Sequence, residues 1–585
     1  MPLASKYSRG LHVAERNAPA ALSRRRFFGA AAVAAVAVTG FSEWVPAAAV
    51  PAGDATLPVP PEFPSGIDLY QQSYENWSKE ISFDSVWTCA PRDEREVVNL
   101  ANWAAEQGYT LRARGSMHGW SPLTVVPGYS VDAVVLLDTT RHLTGVSVDP
   151  TGTPATVTAQ GGASLLAILT ALEAEGLGWA SIPAIGDITI GGALAIDAHG
   201  ATAPAEGRTA EPGLSFGSVS NLVTALTAVV WDESAGEYST RTFARSDPGI
   251  LPLLTHLGRT FITSVTLQAG ADRRVRCQSI LDIGWRELFA PAGAPGRTFE
   301  RFLAASGSVE AIWFPFTDAP WLKVWTDEPE RPIESREVTG PYNYAFSDTL
   351  PELITDGLGS TAPHIGAATP AFSASQLGAV TAGLALTGTA DIWGTSKNTR
   401  FYLRATTLRV TAGGGVLLTA RKNVATIIHD MTTWLEERLG YYSSLGEYPV
   451  NGPFEVRLCG LDYDVDVDSA GSPSISALSP IAEHPEWDTA IWMNVVSIPG
   501  TPGMHAFFRE MEQWMHQHYS GSLGMMRPEY SKGWAFTDDR SHADLPFLTE
   551  TLPSRYREWD SAAAAFDTYD PHRVFRNPFL DRIMP

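Results

Sequence analysis

A histidine behind a turn of small residues, and a carboxylate two positions from an arginine, are the parts of this chain that could do chemistry. The histidine closes Arg114-Gly115-Ser116-Met117-His118-Gly119, directly behind the apolar-basic stretch Tyr109 to Ala113. A second small-residue run, Gly186-Asp187-Ile188-Thr189-Ile190-Gly191-Gly192, lies further along. Turns without side chains let backbone N–H groups come close to an anionic pyrophosphate, and Thr189 can add a hydroxyl donor. Glu455 and Arg457 stand in Phe454 to Cys459, which reads as a strand, so both side chains face one side. There they can neutralise one another in an apolar site, where an unpaired charge is costly.

The elements that must hold these residues alternate. Arg92 to Gln107 reads as a helix with Val97, Val98, Leu100 and Trp103 on one stripe and Gly108 as its stop. Tyr109 to Ala113 is then a strand feeding the Gly115 turn, Val134 to Asp138 a second and Ala155 to Ala159 a third. Ser164 can cap a helix Leu165 to Glu175, ended by Gly176. Further on the sequence changes character. Ala311 to Phe316 and Trp321 to Trp325 look like antiparallel neighbours joined through Asp318-Ala319-Pro320. Arg400 to Val410 and Phe454 to Cys459 read as further strands, and Met504 to Tyr519 as a helix.

The two small-residue runs, in that order, resemble the flavin domain of the vanillyl-alcohol-oxidase family. The segments Gly191 to Gly200, Gly217 to Trp231 and Leu257 to Thr263, the last containing Ile262, resemble later segments of the same domain in that family. Asp570-Pro571-His572-Arg573-Val574-Phe575-Arg576-Asn577 resembles its C-terminal signature, so the likeness spans both ends of the chain after residue 49. It implies bound FAD, joined covalently to His118 and made a stronger oxidant by that bond. It implies cofactor contacts from Arg114, Gly115, Ser116, Met117, Gly119, Gly186, Thr189, Gly191, Gly192, Ile262 and Asn577.

The middle of the chain narrows the likeness to the covalent-flavin (type II) cholesterol oxidases. Asn76 to Glu80, Glu310-Ala311-Ile312-Trp313, Gly452 to Arg457, Trp492-Met493-Asn494-Val495 and Arg527-Pro528-Glu529 fall where those enzymes keep catalytic or gating residues. The resemblance implies that Arg457 lies by the flavin and that Glu455 with Arg457 opens or closes an oxygen route. Oxidising a secondary alcohol needs a base for the hydroxyl proton, and isomerisation needs a carboxylate that carries a proton across the ring. Glu455, Glu310 and Glu529 are the candidates, and Asn494 would orient the substrate oxygen. The bland reading of Glu529 is an ion pair with neighbouring Arg527.

Composition bounds the rest. A chain of 585 residues exceeds one ordinary core. Its formal charge of −22 disfavours nucleic acid, and the excess of acid grows once the basic leader is set aside. That leader has Ser23-Arg24-Arg25-Arg26-Phe27-Phe28 before the apolar run Gly29 to Gly40, with Ala47-Ala48-Ala49 as small residues for cleavage. This fits a twin-arginine export signal, and the apolar run is too short for a span that needs roughly 20 residues. Cys89, Cys277 and Cys459, far apart and among apolar neighbours, read as buried free thiols. His516 and His518, two apart on a helix, point to different sides and make no metal site.

Two motifs mislead. Gly213-Leu214-Ser215-Phe216-Gly217 has the spacing of a serine-hydrolase elbow, but the preceding Thr202 to Pro212 is no strand. Gly357-Leu358-Gly359-Ser360-Thr361-Ala362 mimics a dinucleotide fingerprint, but Pro363 breaks a helix beginning there. The 34 residues between Asp356 and Asp391 hold no Asp, Glu, Lys or Arg. They are either a buried helix and loop or a mouth that meets a lipid surface.

The expectation is therefore an α+β protein: a signal over 1–49, an FAD-binding domain of the PCMH type with two α/β subdomains over 50–270, and a substrate domain with a large helix-flanked antiparallel sheet over 271–545. A segment 546–585 would return to the FAD domain. The expected product is a secreted enzyme that oxidises 3β-hydroxysteroids such as cholesterol with O2, giving H2O2 and a 3-keto-4-ene steroid. Its partners are sterol, O2 and transiently a lipid surface, with no nucleic acid and no stable protein partner. The alternatives are a sugar or alditol oxidase of the same fold, a non-catalytic steroid-binding protein, or a hydrolase using Ser215.

Overall fold

The computed structural model describes residues 57–208, 211–345, 352–402 and 408–585. The proposed signal lies outside these residues. So do 403–407, which fall within the strand expected at Arg400 to Val410; Arg400 itself ends a short helix, Ser396–Arg400.

Three sheets run through the described residues. The first joins β1 (Leu69–Glu75), β2 (Ser82–Cys89), β3 (Thr110–Arg114) and β4 (Val134–Asp138) in the order β1-β2-β4-β3. The helix α1 (Glu94–Gln107) carries the chain back across it, so β2 and β3 both run parallel to β4. Asp93 caps α1 by accepting from the Glu96 amide, and Gly108 ends it at φ 71°.

The second sheet is antiparallel. It orders β5 (Val146–Asp149), β6 (Ala155–Gln160), β8 (Val223–Asp232), β9 (Glu237–Ala244) and β10 (Phe261–Ala271) as β5-β6-β10-β8-β9, with β7 (Leu177–Gly178) paired to β10. The helix α2 (Leu165–Ala174), capped by Ser164, turns Leu165, Ile168, Leu169 and Leu172 inward. The short α3 (Ile190–Ala195) begins within the second small-residue run.

The third sheet holds nine strands, β11 (Arg274–Ile280), β12 (Ser308–Trp313), β13 (Trp321–Asp327), β14 (Arg336–Glu337), β15 (Asp391–Thr395), β16 (Thr411–Thr419), β17 (Phe454–Cys459), β18 (Thr489–Ser497) and β19 (Met525–Arg527). Their order is β14-β15-β11-β13-β12-β17-β18-β16-β19, antiparallel except for β14 with β15. Period-two alternation splits its residues. Val309, Ala311, Val456, Leu458, Met493 and Val495 face a core made with α4 (Phe299–Ser306), and with two long helices, Val424–Ser444 and Met504–His518. Glu310, Lys323, Glu455, Arg457, Trp492 and Asn494 are their in-strand neighbours and take the opposite face.

Some expectations change. The fingerprint mimic at 357–362 lies mostly in a helix that ends there, α5 (Glu352–Thr361), and the 372–386 region is a single helix, α6 (Thr369–Thr387). The strand expected over Ala311 to Phe316 stops at Trp313, and Phe316 at φ 65° turns the chain away. Phe401, Ile475, Tyr530, Trp534, Phe547, Leu548, Trp559, Phe566 and Phe579 all enter the core around α2, so later parts of the chain rejoin this core well before residue 546. The three cysteines are free and buried.

The first two sheets meet on bare backbone at Gly162, where a Cβ would lie 1.9 Å from the Thr139 carbonyl oxygen and 2.8 Å from that of Leu143. Gly162→Ala should therefore cost about 3 kcal/mol or more, the upper range for an overpacked interior, read as a lower denaturant midpoint.

Candidate active site

Both small-residue runs converge on one cleft with about 1140 Å³ of atom-free space, its open mouth included. Arg114, Gly115, Ser116, Met117, His118, Gly119, Thr189, Gly191, Gly192 and Ile262 all line it. Gly186 and Asn577 do not. Gly186 backs onto the Phe401 ring, 3.0 Å from where its Cβ would be. Asn577 caps the C-terminal helix Pro578–Ile583 and donates to the carbonyls of Pro122 and Leu123, one layer behind the wall.

The lining suits a dinucleotide. A Cβ at Gly115 would meet Thr189 Oγ1 at 2.4 Å, and one at Gly161 would meet the Ile262 carbonyl at 2.4 Å, so the walls are backbone. Met117 is held at φ 56° to make the turn. Arg112 is buried in the lining with carbonyl oxygens of Gly258, Leu123 and Phe575 as its hydrogen-bond partners. Burial and the charge of Arg259 push it down to about 10. Its positive charge favours an anion such as pyrophosphate, and Thr260 Oγ1, buried without a hydrogen-bond partner, is a spare donor. His118 packs against Trp77 at 4.3 Å and lies edge-on to Trp120 at 5.7 Å, ring centre to ring centre. Arg409 lies 4.3 Å over the Trp77 ring.

The polar face of the nine-stranded sheet assembles the second half. Register places Glu310 beside both Lys323 and Arg457, and Glu455 beside Asn494. Glu310 reaches Lys323 Nζ at 3.4 Å and Arg457 Nε at 3.9 Å, and Arg457 Nη2 reaches Glu455 at 3.3 Å. Asn494 Nδ2 donates to Glu529 Oε2 at 2.8 Å, and Ser531 Oγ donates to its other oxygen at 3.2 Å. All five predicted catalytic residues thus share one cluster. Arg527 turns the other way, donating to the carbonyls of Ser476, Ala477, Ser479 and Arg555, so its pairing with Glu529 does not form.

A short segment after β19 ties the cleft to the sheet. Glu529 precedes Tyr530, which lines the cleft. Ser121 donates to the Tyr530 carbonyl at 2.5 Å, and the Trp120 amide to that of Ser531 at 3.2 Å. Lys532 Nζ sits 4.0 Å from the Trp120 ring centre. Burial would lift the Glu529 carboxyl, but the His199 ring, its Nε2 3.7 Å away, and the charges of Lys532 and Arg457 hold it well below the usual range. Burial opposes the charge on Arg457, and Glu455, Glu529 and Glu310 together outweigh it, raising its pKa.

The comparisons with known proteins agree with this geometry. The family described as "Cholesterol oxidase, substrate-binding" matches residues 274–585, and "FAD binding domain" matches 87–219. The chain belongs to the cholesterol oxidase family. The solved cholesterol oxidase from Brevibacterium sterolicum is 53% identical at a TM-score of 0.88, covering 91% of this chain and 100% of that one. A histidine-to-alanine variant of it matches equally. A "solvent-stable cholesterol oxidase" is 48% identical at 0.87, covering 90% and 100%. A curated L-gulono-1,4-lactone dehydrogenase from Mycobacterium tuberculosis is 22% identical, covering 87% of this chain and 99% of its own.

Within this cholesterol oxidase fold, Arg112 of the cleft and Lys323, Lys532 and His199 of the charge cluster escaped the sequence reading. Lys323 had a signal, a lone charge amid Trp321 and Trp325 on one strand face. Lys532 and His199 had none, because each meets Glu529 only through folding. Ser215 is buried in a loop, donating to Asp466 at 2.8 Å and accepting from Asn221 Nδ2 at 3.1 Å, which leaves no hydrolase geometry.

One cleft residue carries a pH signature. Burial, then Arg112, pushes the His256 pKa from 6.5 down to about 3. The unfolded chain takes up a proton first as pH falls, so this residue's contribution to stability is complete above 6.5 and is lost toward 3. The thermal midpoint should fall across that window, less steeply in His256→Gln.

Proposed function

We propose that the protein is an FAD-dependent oxidase of 3β-hydroxysteroids such as cholesterol. It passes the electrons to O2 to give H2O2, and then isomerises the ketone to the 4-en-3-one. The observation that carries this reading is the buried charge cluster on the nine-stranded sheet, tied by residues 529–532 to the wall of the dinucleotide cleft. Bound FAD supplies the two-electron acceptor; the cleft backbone, Arg112 and Thr189 would hold it, and His118 is the proposed point of covalent attachment.

The chain's own residues divide the proton work, and the proton that the hydroxyl loses as the ketone forms passes to a carboxylate of the charge cluster. Glu529, only 5% exposed and already bonded to Asn494 and Ser531, is built to orient the hydroxyl. Glu455 is 23% exposed and paired through one 3.3 Å contact, which leaves it the freest to move. It therefore takes the shuttle role in isomerisation, moving a proton from one ring carbon to the next but one. Glu310, held between Lys323 and Arg457, tunes Arg457. Release of the Glu455–Arg457 contact is the proposed oxygen gate.

The same reading includes export through the segment before residue 50, and transient contact with lipid. Among the described residues no helix is long and apolar enough to cross a membrane. The charge-free α6 turns Val380 and Leu384 onto the Trp321 and Trp325 cluster and leaves Leu386 exposed, which suits a mouth for an insoluble substrate. A sugar or alditol would instead require several polar groups for several hydroxyls.

Adding cholesterol without oxygen to the purified protein should bleach its visible flavin band; a band indifferent to every sterol would overturn the substrate reading. Wild-type protein precipitated in acid should keep its flavin on the chain, whereas His118→Ala should release it. Glu455→Gln should slow isomerisation by about 100-fold, the lower range for a lost acid–base group, so that the unconjugated 5-en-3-one accumulates in the product chromatogram while peroxide is still formed.

A further inference from the structure

His199 lies on the loop after α3, and its ring has three close neighbours. It stacks flat on Trp492, with ring centres 3.6 Å apart and planes 2° from parallel. Its Nδ1 is 3.0 Å from the Gly200 carbonyl oxygen, and its Nε2 is 3.7 Å from Glu529 Oε1. A carbonyl oxygen only accepts, so Nδ1 carries a hydrogen. An ionised carboxylate also only accepts, so Nε2 is well placed only if it carries one too. The ring that meets both demands is the doubly protonated imidazolium, whose charge also favours the indole face beneath it.

The loop gives that ring little freedom. Asp197, at φ 60°, accepts from Ser476 Oγ and the Ala477 amide, each at 2.8 Å, and from Thr255 Oγ1 at 3.1 Å. A Cβ on Gly200 would lie 2.5 Å from the Ile182 amide nitrogen, and His199 bridges to Ser218 through backbone.

The consequence reaches Asn494. Its amide nitrogen is committed to Glu529, which turns Oδ1 away, and Oδ1 is buried without a hydrogen-bond partner. That orientation holds while Glu529 is an anion; a protonated Glu529 could donate, and the amide could reverse. We propose that His199, as an imidazolium, is a positioning residue that locks Glu529 as the anion and so presents Asn494 Oδ1 as the acceptor for the substrate hydroxyl. This rests on the sterol-oxidase reading. The other charges facing Glu529 are Lys532 on its own segment and Arg457 from β17, with Glu455 and Glu310 behind Arg457.

The test compares the holoenzyme with His199→Phe, which keeps the stack but loses both donors, and His199→Gln, which keeps one donor. Measured are kcat and KM for detergent-dispersed cholesterol against pH, and the thermal midpoint against pH. With Glu529 less firmly held as the anion, His199→Phe should lose about tenfold or more in kcat on the acid side of its profile, with a smaller change in KM. The acid limb of its kcat profile should move up by about one pH unit or more, a unit being a tenfold change in proton affinity. The decline of its midpoint below about pH 4.5 should become shallower, because Glu529 gives up less on protonation. His199→Gln should fall between, and it keeps the test open if the phenylalanine variant does not fold. A uniform loss at all pH with an unmoved acid limb, or wild-type kcat and limb in both variants, would overturn the proposal. Wild-type protein inert toward every 3β-hydroxysteroid would sink the sterol reading instead, while the midpoint measurement would still judge His199.

Discussion

A carboxylate taken out of water loses several kcal/mol of hydration unless donors and cations replace it, and Glu529 is in that position. Its replacements come from three separate parts of the chain: Asn494 from the sheet, Ser531 and Lys532 from its own segment, and His199 from the flavin half. Because the donors are on different elements, satisfying Glu529 also fixes how those elements meet. The segment that bears it continues as Tyr530 into the cleft wall and is bonded to Ser121 and Trp120 beside His118. One satisfied charge therefore ties the sheet that handles the alcohol to the loop that handles the cofactor.

The cleft obeys the opposite logic. Its walls are close backbone at Gly115, Gly161 and Gly191, where side chains would collide, and its deeply buried cation, Arg112, is bonded to carbonyl oxygens. Such a surface has positive potential and donors but little bulk, which is what a pyrophosphate requires. The sheet face has bulk and charge of both signs, arranged in strand register as Lys323–Glu310–Arg457–Glu455. Charges of alternating sign let one contact open without stranding the others, which is the property that a moving carboxylate and a gate both need.

Much of this was legible because local physics wrote it into the chain. The Ser164 cap, the Gly108 stop and the alternation of Phe454 to Cys459 are short-range patterns, and each appears where its residues place it. Where local patterns were ambiguous the reading slipped. The glycines at 357 and 359 mimicked the loop of a dinucleotide fingerprint but lie within α5, since helix interiors tolerate glycine when neighbouring residues propagate the helix. Arg527 and Glu529, two apart, looked like a pair, yet the chain turns between them and sends the two side chains to different partners.

By itself, then, the sequence determined the fold class, the family likeness, the small-residue turn before His118 and the face shared by Glu455 and Arg457, all of which depend on neighbours a few residues apart. Only the tertiary structure decided that Glu529 is a buried hub and not an ion pair, that His199 and Lys532 belong to the site, and that Gly186 and Asn577 stand behind the cleft. These are contacts between elements far apart in the chain, fixed by sheet register and by the burial of charge, and no local spacing records them.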